Sequence, residues 1–174
     1  MNGIVVFDMD GTLCADGADR PLDGAVAAVH FLRARGFDCA VATNIGYWVE
    51  QVGERAAVDR VAHVTGQCGI LPLRVCVCHH LASDECECRK PSPHLIVDLL
   101  RPHADGDPRF MVGDRWSDIL AGQRAGCDTV LVGLDNWPYQ QKGITPLPSA
   151  MEPPTYISRD IWGAARLIAG LASL

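Results

Sequence analysis

The sequence predicts an α/β fold: a three-layer, Rossmann-like parallel sheet with helices on both faces. Three observations carry this expectation. Short apolar runs alternate with longer amphipathic stretches along the chain. The runs at 3–8, 37–44, 109–114 and 128–133 are largely apolar instead of alternating with polar residues, as strands covered on both faces are. Finally, 174 residues with 48% hydrophobic and 21% charged residues suit a single domain over 1–174 with a substantial core.

GIVVFD at 3–8 is a buried strand ending in a carboxylate. Residues 22–35 place Ala25, Val29 and Leu32 at helical spacing, between Pro21 and Gly36. FDCAVATN at 37–44 is a second strand, and one helix is expected over 48–68. RVCVC at 74–78 is a third strand candidate, after which Ser92 can cap a helix from Pro93 to about Arg101. RFMVGD at 109–114 and DTVLVG at 128–133 are strands flanking a helix at 116–125. The Pro-rich stretch 138–154 reads as a loop, 155–157 as a short strand and 159–172 as a final helix. In such sheets the active site lies at the carboxyl ends of the strands.

With 15 Lys+Arg against 21 Asp+Glu, the net charge of −6 argues against an electrostatic DNA or RNA binder. The start MNGIVVFDMDG lacks a signal-peptide pattern, and no apolar run approaches the length of a membrane span. A cytoplasmic protein with reduced thiols is expected, so a cysteine cluster points to metal before disulfides. The cations are lopsided: thirteen Arg, but only Lys90 and Lys142. A lysine kept in such a chain marks a position that calls for an ammonium.

Asp8 and Asp10 follow the first strand in DMDGT, and side chains two apart on an extended chain point the same way. The second strand ends in Thr43 and Asn44, whose hydroxyl and amide can donate to an anion or cap a helix. The fourth ends in Gly113-Asp114, and Asp118 would share a helix face with Asp114 if the helix began at once. Singly, these residues are ordinary turn and capping residues. Together, with Lys90, they converge on one sheet edge and fit phosphoryl transfer: a carboxylate nucleophile, a second carboxylate to move the proton, and a divalent cation with a lysine to neutralise charge.

The chain here resembles the haloacid dehalogenase (HAD) superfamily of phosphatases. Asp8-Met9-Asp10-Gly11-Thr12 matches its first motif, Thr43 the second, Lys90 the third, and Gly113-Asp114 with Asp118 the fourth. The resemblance implies that Asp8 forms an aspartyl-phosphate and that Asp10 is the general acid, then the base. It implies Mg2+ on Asp8, Asp114 and the backbone carbonyl of Asp10, phosphoryl contacts from Thr43 and Lys90, and a supporting role for Asp118. Magnesium suits such an oxygen-rich site.

A second constellation precedes Lys90. Cys78-His79-His80 and Cys86-Glu87-Cys88 offer four N/S ligands within eleven residues, which suits a closed, tetrahedral structural zinc site. Cys78, His80, Cys86 and Cys88 are the preferred set, with a four-thiolate site that uses Cys76 as the alternative. A loop at about 76–90 that builds no core of its own would take its folding energy from metal. This Cys-x-His…Cys-x-Cys-Arg-Lys-Pro pattern resembles the branch holding D,D-heptose 1,7-bisphosphate 7-phosphatases and histidinol-phosphatases. The resemblance implies that Arg89 contacts a distal part of the substrate, such as a second phosphate.

There are departures from that branch. Met9 stands where a basic residue is usual, and Ile45-Gly46-Tyr47-Trp48 replaces the usual Gln-Ser-Gly-Ile. Tyr47 and Trp48 could stack on a substrate ring or pack in the core. Only 32 residues separate Asp10 from Thr43 and 45 separate Asn44 from Lys90, leaving no room for a cap domain. The expectation is therefore a HAD-like, cap-less phosphatase acting as a monomer on a small phosphorylated metabolite. A heptose bisphosphate leads as substrate, with histidinol phosphate or a polynucleotide 3′-phosphate as alternatives. A catalytically silent zinc-binding interaction module is the non-enzymatic alternative.

Overall fold

A computed structural model describes residues 3–133 and 152–172. Six parallel strands form one sheet in the order β3-β2-β1-β4-β5-β6. They span Ile4–Phe7 (β1), Asp38–Asn44 (β2), Val75–Cys78 (β3), Arg109–Gly113 (β4), Asp128–Val132 (β5) and Tyr156–Ser158 (β6). The helices are Ala25–Arg33 (α1), Gly46–Val52 (α2), Glu54–Gln67 (α3), His94–Leu100 (α4), Trp116–Arg124 (α5) and Ile161–Leu171 (α6). Between β1 and β2 lies α1 alone, and between β2 and β3 lie α2, α3 and a 3-10 turn at Pro72–Arg74. None of the described helices is long and apolar enough to cross a membrane.

The central strand β1 is buried along its whole length. Val5 and Phe7 pack on one face with α1, α3 and α6, whereas Ile4 and Val6 pack on the other with α4 and α5. The period-two alternation of a strand thus builds two cores from one run of four apolar residues. This is why β1 reads as uniformly apolar.

Two expectations need correction. The helix expected over 48–68 starts earlier, at Gly46, and is broken at Gly53 (φ 84°, ψ 155°), a conformation no helix interior accommodates. Its two pieces have different tasks: α2 faces the carboxyl edge of the sheet, and α3 lays Ala57, Val61 and Val64 on the core. The helix after β4 begins only at Trp116, so Asp114 precedes it and does not share a helix face with Asp118. Small shifts occur elsewhere, as at β6. Residues 134–151, which include most of the Pro-rich stretch, lie outside the described residues.

Candidate active site at the carboxyl edge of the sheet

The parallel register aligns the strand ends. Phe7 pairs with Val112, and the Asp8 amide donates to the Val112 carbonyl at 2.9 Å, so Asp8 emerges beside Gly113 and Asp114. Beyond Asp8 the chain turns sharply. The Met9 carbonyl accepts from the amides of Thr12 (3.2 Å), Leu13 (2.8 Å) and Cys14 (3.0 Å). Gly11 has φ 87°, and a Cβ there would lie 2.2 Å from an Asp114 carboxylate oxygen. Only glycine permits this turn against that carboxylate.

Lys90 reaches the centre from the loop before α4. Its Nζ donates to Asp8 Oδ1 at 2.5 Å and to the Ala42 carbonyl at 2.7 Å, and pairs with Asp118 Oδ1 at 2.7 Å. The side chain is 1% exposed. Burial alone would lower its pKa, but the Asp118 and Asp8 carboxylates outweigh that and hold it above the usual lysine value. Asn44 fixes the backbone of Lys90: its Nδ2 donates to the Lys90 carbonyl (3.1 Å) and its Oδ1 accepts from the Lys90 amide (3.0 Å). Asp118 is held in turn by the Arg115 amide at 3.0 Å. Thr43 is buried at the cavity wall.

Asp8, Asp114 and Asp118 bring carboxylate oxygens within 4.8 Å of one another. When all three are ionised, these carboxylates exceed the Lys90 ammonium by two negative charges, which a divalent cation would balance; Arg115, 3.9 Å from Asp114, is paired with Asp16 at 3.0 Å. Burial, opposed by Lys90 and reinforced by Asp118, pushes the Asp8 carboxyl up to about 7. Burial, with Asp118 and Asp8 adding to it, takes Asp114 to about 8. Asp114 Oδ1 is buried with no hydrogen-bond partner. An orphaned oxygen beside excess negative charge fits a hard, oxygen-seeking cation.

Asp10 is 8% exposed and is fastened from several sides. Gly17 N–H donates to Oδ1 (3.3 Å), Trp48 Nε1–H to Oδ2 (3.2 Å), and both terminal nitrogens of Arg60 engage the carboxylate. Sequence reasoning missed Arg60. It lies fifty residues from Asp10 on an amphipathic helix, with no local motif to mark it. The Trp48 indole faces both ways, packing against the core and donating to Asp10. A cavity of about 940 Å³ opens over the site, with Asp8, Asp10, Thr43, Tyr47, Arg89 and Trp116 in its wall.

The zinc-loop candidates also come together. Asn44 pairs with Cys78 across β2 and β3, so the loop begins beside the active site. Separations are 3.6 Å for Cys78–Cys86 and Cys86–Cys88, 3.2 Å for Cys88–Cys78, and 3.3 Å from His80 Nδ1 to the Cys88 sulfur. Ligands around a tetrahedral zinc with bonds of about 2.3 Å sit roughly 3.8 Å apart, so the four fit one ion with slight expansion. Cys76 lies outside the group, and none of the eight cysteines forms a disulfide. Although burial works against it, hydrogen bonds from the Arg89 amide and from Cys88 and Cys78 bring the Cys86 thiol down to about 7, towards the thiolate that a metal needs. Arg89 donates to the His80 carbonyl at 2.9 Å, tying the loop's two arms.

A sheet whose central strands end in carboxylates, gathered round one buried lysine, is an arrangement suited to an α/β enzyme that acts on a phosphoryl group. The HAD-hydrolase-like family model matches residues 87–164. The D-glycero-β-D-manno-heptose-1,7-bisphosphate 7-phosphatase of Neisseria meningitidis is 31% identical over 144 residues, covering 74% of this chain and 76% of that protein. The protein of the same name from Pasteurella multocida is 26% identical over 197 residues, covering 99% and 100%. Among solved structures, D,D-heptose 1,7-bisphosphate phosphatase from B. bronchiseptica, complexed with magnesium and phosphate, superposes with a TM-score of 0.74 at 24% identity, over 99% of each chain. The chain belongs to the HAD-like hydrolases, as a phosphatase of the heptose-bisphosphate phosphatase branch.

Proposed function

We propose that the protein is a magnesium-dependent phosphomonoesterase that removes the 7-phosphate of D-glycero-D-manno-heptose 1,7-bisphosphate through an aspartyl-phosphate on Asp8. The observation that carries this reading is the buried Lys90 ammonium bridging Asp8 and Asp118 beside Asp114, in a chain of this branch.

Asp8 attacks phosphorus as the bond from phosphorus to the sugar oxygen breaks, and Asp10 gives a proton to the departing alkoxide. Asp10 then takes a proton from water, whose oxygen attacks the acyl phosphate and frees Asp8 and inorganic phosphate. Thr43 and Lys90 hold phosphoryl oxygens, and Asn44 and Asp118 keep Lys90 aimed. Asp8, Asp114 and the Asp10 backbone carbonyl would hold Mg2+, which when bound offsets the charge of the phosphoryl group. Cys78, His80, Cys86 and Cys88 would hold a structural Zn2+. Arg89, at the cavity wall, would receive the second phosphate. The whole chain acts as one cap-less domain, a cytoplasmic monomer whose partner is a small phosphorylated metabolite.

One observation favours a second reading. Tyr47, Trp48 and Trp116 line the cavity, an aromatic wall that would suit a flat ring such as the imidazole of histidinol phosphate. Phosphate release with Mg2+ from heptose bisphosphate, histidinol phosphate and a 3′-phosphorylated oligonucleotide separates the readings. The heptose bisphosphate is expected to give the highest kcat/KM, and Asp8→Asn to abolish release while the fold survives. A higher kcat/KM for histidinol phosphate would transfer the assignment to it, and an Asp8→Asn variant of full activity would remove the nucleophile.

A further inference from the structure

Arg60 takes no part in the chemistry assigned above, yet it is 12% exposed and spends its guanidinium on Asp10. Nη1 donates to Oδ2 at 3.2 Å and Nη2 to Oδ1, while Nε donates to the Ala18 carbonyl at 2.8 Å. The fork therefore grips both carboxylate oxygens and the loop that follows Asp10 at once. Its plane lies near the Trp48 ring, with 5.2 Å between the guanidinium carbon and the ring centroid, and Trp48 Nε1 donates to Asp10 Oδ2. Asp10 and Trp48 belong to the cavity wall, but Arg60 does not. The guanidinium braces the carboxylate from the protein side, leaving the cavity side to substrate.

We propose that Arg60, with Trp48, is a positioning residue that fixes the rotamer of Asp10 for proton transfer to the leaving group. This rests on the reading of Asp10 as the general acid. A short aspartate has two side-chain torsions, and proton transfer needs its oxygen within hydrogen-bond reach of the departing oxygen. Two parallel N–H···O bonds from one rigid plane fix both torsions, which a lysine's single ammonium would not do. Trp48 adds a third donor in a direction independent of the fork.

The test compares two leaving groups in the Mg2+-loaded enzyme. An alkyl phosphate ester, the heptose bisphosphate, needs the proton; 4-nitrophenyl phosphate, whose phenolate leaves unaided, needs it far less. Asp10→Asn should lose about 100-fold or more in kcat/KM on the sugar phosphate and much less on the aryl phosphate. Arg60→Met should lose about 10- to 100-fold in kcat/KM on the sugar phosphate and less than about 3-fold in kcat/KM on the aryl phosphate, because kcat/KM ends at leaving-group departure and excludes the water step both substrates share, with guanidinium ion restoring part of the loss. Arg60→Lys and Trp48→Phe, which alter the fold least, should show the same discrimination more weakly. Equal losses on both substrates across the Arg60 and Trp48 variants, with no recovery by guanidinium, would leave Arg60 a structural residue and overturn the proposal. If Asp10→Asn itself fails to discriminate, the general-acid reading falls and the proposal falls with it.

Discussion

Lys90 is the residue on which the site's charge balance turns. Its ammonium, 1% exposed, faces Asp8 and Asp118. Breaking a buried pair by deleting one partner typically costs about 3–5 kcal/mol. Lys90→Met should therefore lower stability by about that amount in denaturant melts at pH 8. The loss should shrink at pH 5, where Asp8, already raised to about 7, takes up a proton and needs no partner. Cation binding should carry the opposite proton signature. The folded pKa values of Asp8 (about 7) and Asp114 (about 8) lie above the unfolded value of 3.8. The metal-free folded chain thus holds protons the unfolded chain has released, and its stability falls as pH rises from about 4 to about 8. Magnesium needs both carboxylates ionised. Titration calorimetry in buffers of different ionisation enthalpy should show roughly one to two protons released per cation at pH 6, and none by about pH 9. At this scale Asp8 and Asp114 were legible because each directly follows a strand within a short motif, and Lys90 because it is one of only two lysines in the chain. Asp10's partner Arg60 was not, because its contact spans fifty residues and depends on how α3 packs.

Among the elements, α2 links the two candidate metal centres. Gly46 begins it, and a Cβ there would sit 2.0 Å from the His80 carbonyl oxygen, which Arg89 already uses as an acceptor. His79 Nδ1 pairs with Glu54 at the start of α3, at 3.0 Å. The Cys-rich loop and the α2–α3 elbow are therefore seated on each other. Gly46→Ala should destabilise the fold by about 1–3 kcal/mol and lower zinc retention during dialysis, because the loop must move to admit the methyl. Cys86→Ser should lower zinc content directly, and the 79–89 segment should become the preferred site of limited proteolysis in that variant. Undiminished zinc in Cys86→Ser would exclude that thiol from the site. The elbow itself escaped sequence reading: Gly53 sits inside an otherwise helical stretch, where glycine is tolerated, and only its backbone angles make it a break.

For the molecule as a whole, β1 is where the two cores meet. Phe7 is 1% exposed in one core, and its neighbour Val6 is fully buried in the other. Phe7→Ala should lower stability by about 3–5 kcal/mol, and circular dichroism and tryptophan fluorescence should still report one coincident transition. The parallel α/β architecture was legible because burial on both faces leaves uniformly apolar strands. The cap-less expectation rested on counting residues between motifs, which fixes the space for an insertion without specifying its shape. What counting cannot reveal is the reciprocal amide pairing of Asn44 with the backbone of Lys90. That staple pins the exit of the Cys-rich loop to the end of β2, while Cys78 pins its entrance one strand away. With both ends anchored to the sheet, the intervening segment behaves as an interchangeable cartridge. Its length and wall chemistry can drift in evolution, or be swapped by grafting, while the Lys90 ammonium stays in place between Asp8 and Asp118.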